Sequence, residues 1–199
     1  VDSDLMDMLA GIHDPPRREV CMVTHVEHVY EITPDFVEAI QEVRKAGMSV
    51  YNQMVFTVEN SRRFEAAAVR GLARLAGVDP YYTFCMKGKE ELSSYRVPIA
   101  RLQQEAKEEA RLFPGLVRTD ETVFNVPALG KNYLLRSQHH DVISVLPDGR
   151  RVYEFHPWEK KIRPSEKYVL PDVSIEEYLH ALEERGENPE DYSTIWYYY

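Results

Sequence analysis

The chain has 199 residues, enough for one sizeable domain with an appendage. Its 24 Lys+Arg against 33 Asp+Glu leave a net charge of −9, which argues against a nucleic-acid partner and against an anionic membrane surface. No run approaches the ~18 apolar residues of a membrane span.

Strand-like and helix-like segments alternate through the first half. Val20–Thr24 is a short apolar run that reads as a buried strand. Thr33-Pro34 then supplies an N-cap with proline at the first helical position, Phe36, Val37, Ile40 and Val43 follow at helical spacing, and Gly47 stops the helix. Ser49–Phe56 is the next strand. Ser61 is placed to cap a helix carrying Phe64, Ala68, Leu72 and Leu75, with Gly77 as its stop. Tyr81–Met86 is a third strand, and a charged amphipathic helix runs from about Pro98 to Leu112, ended by Pro114-Gly115. Three strand–helix units in succession imply parallel strands with right-handed crossovers, in a doubly wound sheet or in a barrel.

The second half changes character. Val123–Val126 and Tyr133–Ser137 look extended, and Val142–Leu146, Pro147-Asp148-Gly149 and Arg151–Phe155 spell out a hairpin with its turn. Ser174-x-x-Glu177 is a capping box that opens a helix to about Glu184. The tail, Asp191–Tyr199, has no periodicity and suits docking on a neighbour or on a part outside this chain.

In parallel α/β folds the working residues gather at the carboxyl ends of the strands. Those ends carry Thr24, His25, Glu27 and His28; Asn52 and Gln53; Lys87 and Lys89; and Gly130-Lys131. The set suits an anionic or zwitterionic small molecule. His25-x-x-His28 has no third ligand at matching spacing, so no metal is assigned. Asn52 and Gln53 can bind a ligand or satisfy backbone. Lys131 follows glycine without the spacing of a phosphate-binding P-loop, and a lysine there can form a Schiff base with an aldehyde cofactor. Trp158 reads as structural. Cys85 reads as a small core residue. With only two cysteines, Cys21 and Cys85, there is no disulfide framework, which suits a reducing, cytoplasmic compartment. The acidic, polar N-terminus shows no signal peptide, and a start at Val1 suggests a fragment or a processed product.

Four stretches in order carry a resemblance: Thr24-His25-Val26-Glu27-His28 with Glu31-Ile32-Thr33-Pro34; Val50-Tyr51-Asn52-Gln53; Pro80-Tyr81-Tyr82; and Phe124-Asn125-Val126-Pro127-Ala128-Leu129-Gly130-Lys131-Asn132-Tyr133. Together they resemble the C-terminal half of the lysine/glutamate 2,3-aminomutase family of radical-SAM, pyridoxal-phosphate enzymes, over about residues 4–160. The resemblance implies an α/β fold, a partial (β/α) barrel of parallel strands, with a C-terminal extension that contains a β-hairpin. It divides the chain into residues 1–120, half of a radical-SAM partial barrel, and residues 121–199, a segment holding the cofactor lysine, the hairpin and a helical tail.

The resemblance also implies roles. His25 and Gln53 fall in motifs of the S-adenosylmethionine site, and Lys131 matches the lysine that holds pyridoxal phosphate. Where lysine-acting members carry aspartates for the substrate's ammonium, this chain has Lys87 and Asn125. A cation and a neutral donor suit a side-chain carboxylate instead, which favours glutamate as the amino acid substrate. The family's 4Fe–4S cluster sits on Cys-x3-Cys-x2-Cys, a motif this chain lacks, so the cluster ligands lie outside it and the chain alone is expected to be inactive. Two other readings stay open: a catalytically silent binding or assembly module, and a 2,3-aminomutase for another amino acid. A part-barrel leaves an open strand edge, which favours self-association into a homo-oligomer.

Overall fold

The structure, a computed structural model, describes residues 2–86, 94–127, 129–156 and 167–199. The chain begins with an amphipathic helix, α1 (Ser3–Ile12), capped by the Asp2 carboxylate on the Leu5 N–H at 3.0 Å. Strand β1 (Cys21–Thr24) follows, then α2 (Pro34–Lys45), β2 (Ser49–Phe56), α3 (Glu65–Ala76), β3 (Asp79–Cys85), α4 (Ile99–Glu108), β4 (Glu121–Val126) and β5 (Gly130–Tyr133). These strands form one sheet in the order β1-β2-β3-β4-β5, with β1 to β4 parallel and β5 antiparallel to β4. The expected α/β architecture is present, with a mostly parallel sheet built from strand–helix units.

The helices α2, α3 and α4 all bury one face of this sheet. Along β2 the even-numbered residues Val50, Asn52, Met54 and Phe56 are buried and the odd-numbered ones only partly so. Val50 joins Ile40 and Val43 of α2 and Ala73 of α3 in one apolar cluster. Met54 and Phe56 join Val69 of α3, Ile99 and Leu102 of α4, and Phe124 and Val126 of β4 in a larger one. The alternation follows from the period of two along a strand. Its consequence is that Val23, Tyr51, Gln53, Tyr82, Phe84, Val123, Asn125, Lys131 and Tyr133 all lie on the other face, on which no helix among the described residues packs.

The helix ends follow local chemistry in most cases. Thr33 Oγ1 accepts the Phe36 N–H at 3.2 Å, with Pro34 at the first position of α2. Gly77 closes α3 at φ +100°, a conformation that costs glycine nothing. Ser61 does not cap α3 as expected. That helix starts behind Phe64 at φ +66° with no side-chain cap, and the Ser61 hydroxyl instead donates to the Val58 carbonyl at 3.0 Å and accepts from Tyr178 at 2.9 Å. A buried tyrosine in need of a partner outcompetes the cap.

The second half builds a separate three-stranded antiparallel sheet in the order β6 (His140–Val145), β7 (Arg151–Phe155), β8 (Tyr168–Pro171). The hairpin joining β6 and β7 turns at Gly149, with φ +77°. Tyr153 and Phe155 project from it into the larger core, where Phe155 stacks on Phe124 with ring centroids 4.9 Å apart. Helix α5 (Ile175–Glu184) is capped by Ser174 and buries Ile175, Tyr178 and Leu182. The tail is a 3-10 helix, Pro189–Tyr197.

Three expectations are corrected. The fifth strand is Gly130–Tyr133 rather than Tyr133–Ser137, because the short connection after Val126 folds straight back and pairs Val126 with Gly130. The third strand of the small sheet, β8, and helix α1 were not foreseen; β8 is too short and too mixed to announce itself. The tail docks on the chain's own core through Tyr192 and Ile195, both essentially inaccessible, while Tyr197 and Tyr199 stay exposed. Among the described residues no helix is long and apolar enough to cross a membrane.

Candidate active site on the open sheet face

Strand pairing brings the site residues foreseen in the sequence together. Asn125 on β4 and Lys131 on β5 are directly opposed in the antiparallel ladder, so their side chains rise side by side from the uncovered face. The Lys131 ammonium lies over the Tyr82 ring, with Nζ 5.4 Å from the centroid. Tyr82 is itself opposed to Gln53 across the β2–β3 pairing, on the same face. One strand further on, β1 ends at Thr24, and the exposed His25 comes immediately after it, in the same alternation as Val23. His25, Gln53, Asn125 and Lys131 thus form a band that crosses the sheet, with tyrosines between them. Lys87 lies outside the described residues, as do Lys89 and Trp158.

The aromatic wall is continuous. Tyr51 meets Tyr81 at 5.9 Å between centroids, Tyr81 meets Tyr82 at 4.0 Å, and Tyr82 meets Phe84 at 5.3 Å. The β2–β3 register shifts between Asn52 and Gln53, and the extra residue, Tyr81, lets both tyrosines of the Tyr81-Tyr82 pair join this wall. Desolvation, with help from the neighbouring Tyr81 and Tyr133 hydroxyls, pushes the Tyr82 phenol well above its ordinary range, so it stays neutral beneath the lysine.

Asn52 resolves as a structural residue. Its side chain is buried on the helix face and is fully employed: Oδ1 accepts the Val26 N–H at 2.8 Å and the Thr24 hydroxyl at 3.0 Å, and Nδ2 donates to the Val26 carbonyl at 3.0 Å. It replaces the strand pairing that β1 gives up after Thr24. The neighbouring Gln53 points the other way and is available on the open face.

His28 is likewise structural. Nδ1 accepts the Tyr30 N–H at 3.2 Å, at the start of the short 3-10 turn Val29–Glu31, and Nε2 pairs with Glu65 of α3. Both ring nitrogens are used, so the His25-x-x-His28 spacing makes no metal pair. Glu27, between them, is half-buried, and its Oε2 accepts the Val55 N–H at 2.7 Å. Desolvation raises its carboxyl to about 7, helped by the Glu31 charge and opposed by the Val55 hydrogen bond. The sequence placed Glu27 at a strand end; its unusual acidity depends on burial that only the fold supplies.

The donor set fits one group and not another. A primary amine on a strand, beside a neutral amide and over a wall of tyrosines, fits the aldehyde and aromatic ring of pyridoxal phosphate. The cysteines do not fit an iron–sulfur cluster. Cys21 is exposed at the edge strand β1, while Cys85 is buried on β3 among the helix-facing core residues, its thiol pushed far up by burial. Among the described residues, Asp141, Glu154 and His156 gather on the small sheet, with Lys167 Nζ at 2.6 Å from Glu154 already answering one carboxylate.

No known protein-family profile matches the chain. Over 195 residues, 98% of its length, it is 51% identical to a protein of Methanocaldococcus jannaschii named as an uncharacterized KamA family protein. The chain spans 32% of that relative's length. What it resembles, through almost all of its own residues, is therefore about a third of a longer protein, one whose name places it in the family of lysine 2,3-aminomutase.

Proposed function

We propose that this chain is the C-terminal part of a radical-SAM, pyridoxal-phosphate-dependent amino acid 2,3-aminomutase, and that the whole protein interconverts glutamate and β-glutamate. The observation that carries the reading is the band of His25, Gln53, Asn125 and Lys131 on one face of one sheet. The similarity to the KamA family protein supports the same chemistry.

In this reading Lys131 holds pyridoxal phosphate, and His25 and Gln53 bind S-adenosylmethionine. The bound cofactors would supply an aldehyde carrier for the substrate's amino group and a source of the carbon radical that starts its migration. This chain's residues bind and orient. Lys131 offers the amine, the tyrosine wall shields one side from water, and Asn125 beside it donates to the substrate's side-chain carboxylate, with Lys87 as the second partner. An iron–sulfur cluster finds no ligand set here, and we assign its ligands to a part of the protein outside these residues. The chain alone accordingly should not turn over.

The test uses the longer protein, reconstituted anaerobically with both cofactors and a reductant and given L-glutamate or L-lysine. Formation of β-glutamate from glutamate, with no β-lysine, is the expected result. Asn125→Asp should lower turnover of glutamate at least tenfold, because it sets a second carboxylate against the substrate's own. Conversion of lysine in preference to glutamate would overturn the substrate assignment, and conversion of neither would count against the aminomutase itself.

A further inference from the structure

The loop after β1, which carries His25, is tied to β2 by a set of hydrogen bonds that mimics a missing strand. Glu27 accepts the Val55 N–H through its carboxylate at 2.7 Å. Its own carbonyl accepts from Asn60 Nδ2 at 3.1 Å, and the same Nδ2 reaches the Val55 carbonyl at 2.8 Å. Both polar groups of Val55 on the edge that β1 abandons are thereby satisfied, as buried backbone requires. The Glu27 and His28 N–H groups in turn both donate to Glu31 Oε1, at 2.9 and 2.7 Å. Every tie but one is made by backbone, a neutral amide, or a carboxylate already shared by two donors. The exception is the half-buried Glu27 carboxyl, which holds Val55 by itself two residues from Gln53.

We propose that Glu27 is a positioning residue, a proton-operated latch that sets the His25 loop against Gln53 and so makes binding of S-adenosylmethionine depend on pH. The inference rests on the functional reading above for its ligand. An ionised carboxylate grips an N–H about twice as strongly as a neutral acid does. Above neutral pH the latch is closed; as Glu27 takes up a proton the Val55 bond weakens and the loop relaxes. Burial and the facing Glu31 raise the carboxyl to about 7, which puts the change inside the physiological range. Among the described residues, the nearby charges are already paired with one another. His28 is paired with Glu65 of α3, and Glu59, on the 57–60 turn, is paired with Arg185 at 3.1 Å.

The experiment follows the Val55 amide of this chain by ¹⁵N–¹H NMR from pH 5.5 to 8.5, and measures the S-adenosylmethionine affinity of the longer protein, reconstituted anaerobically with its cluster, by calorimetry over the same range. We expect the Val55 resonance to titrate with a midpoint near 7. Affinity should fall about three- to tenfold between pH 8 and pH 6. Both dependences should be flat in Glu27→Gln, which keeps an acceptor for Val55 and cannot ionise. A Val55 resonance that does not titrate overturns the latch, whatever the ligand does. A titrating Val55 with pH-independent affinity overturns its coupling to the site. A titrating Val55 with a longer protein that binds no S-adenosylmethionine at any pH upholds the latch and counts against the functional reading instead.

Discussion

Arg70 shows how single residues carry this fold. It projects from α3 into the interior, where Nη2 pairs with Glu109 and Nη1 reaches Asp120 Oδ2 and Thr83 Oγ1, each at 3.3 Å. All three charged side chains are nearly inaccessible. A guanidinium suits the task because its fork answers several acceptors at once without losing its charge. Removing it strands two carboxylates without their cation. Arg70→Met should therefore cost about 3–5 kcal/mol, read as a drop in the urea midpoint. A loss below about 1 kcal/mol would mean that water reaches these carboxylates and that the interior is looser than described.

At the scale of elements, the hairpin turn gives a sharper case. Gly149 sits at φ +77°, and a Cβ there would overlap the Trp196 ring of the tail and touch Ile175 at the start of α5. Gly149→Ala combines backbone strain with overpacking and should cost about 2–4 kcal/mol in thermal or denaturant unfolding. An unchanged melting temperature would show that the tail does not rest on this turn. The same contact explains what the sequence made visible and what it hid. The turn Pro147-Asp148-Gly149 was legible because glycine and proline act locally. So were β2 and α2, where alternation and capping agree with the packing. The tail was illegible because Tyr192 is buried against Arg101 and Gln104 of α4, about ninety residues earlier in the chain. Ser61 misled for a related reason: its hydroxyl answers Tyr178, 117 residues later. For the site, residue types at strand ends pointed to His25, Gln53 and Lys131, and the resemblance alone added Asn125. The resemblance lent them roles, and only the register of β4 on β5 sets Asn125 beside Lys131. The separation of Asn52 into the core and the raised acidity of Glu27 both depend on which face of β2 is buried, and on where β1 stops.

At the scale of the whole molecule, one layer of helices covers one side of a mostly parallel sheet, and the opposite side, on which no helix among the described residues packs, carries the candidate chemistry. The small antiparallel sheet, α5 and the tail pack into the larger core on the helix side. At the β5 edge, His139 meets Tyr133 of the Lys131 face edge-on, with ring centroids 5.3 Å apart. The arrangement makes sense for a piece of a larger enclosure whose remaining wall would come from elsewhere in a longer protein, in keeping with a relative three times as long. In the proposed reading, this face by itself binds an aldehyde cofactor through Lys131. The most direct test is to mix the purified chain with pyridoxal phosphate, reduce with borohydride and map the modified peptides. A pyridoxyl adduct confined to Lys131 and lost in Lys131→Ala is expected, accompanied by a change in the tyrosine absorbance of the adjacent wall. Adducts scattered over many lysines, or none at Lys131, would contradict it.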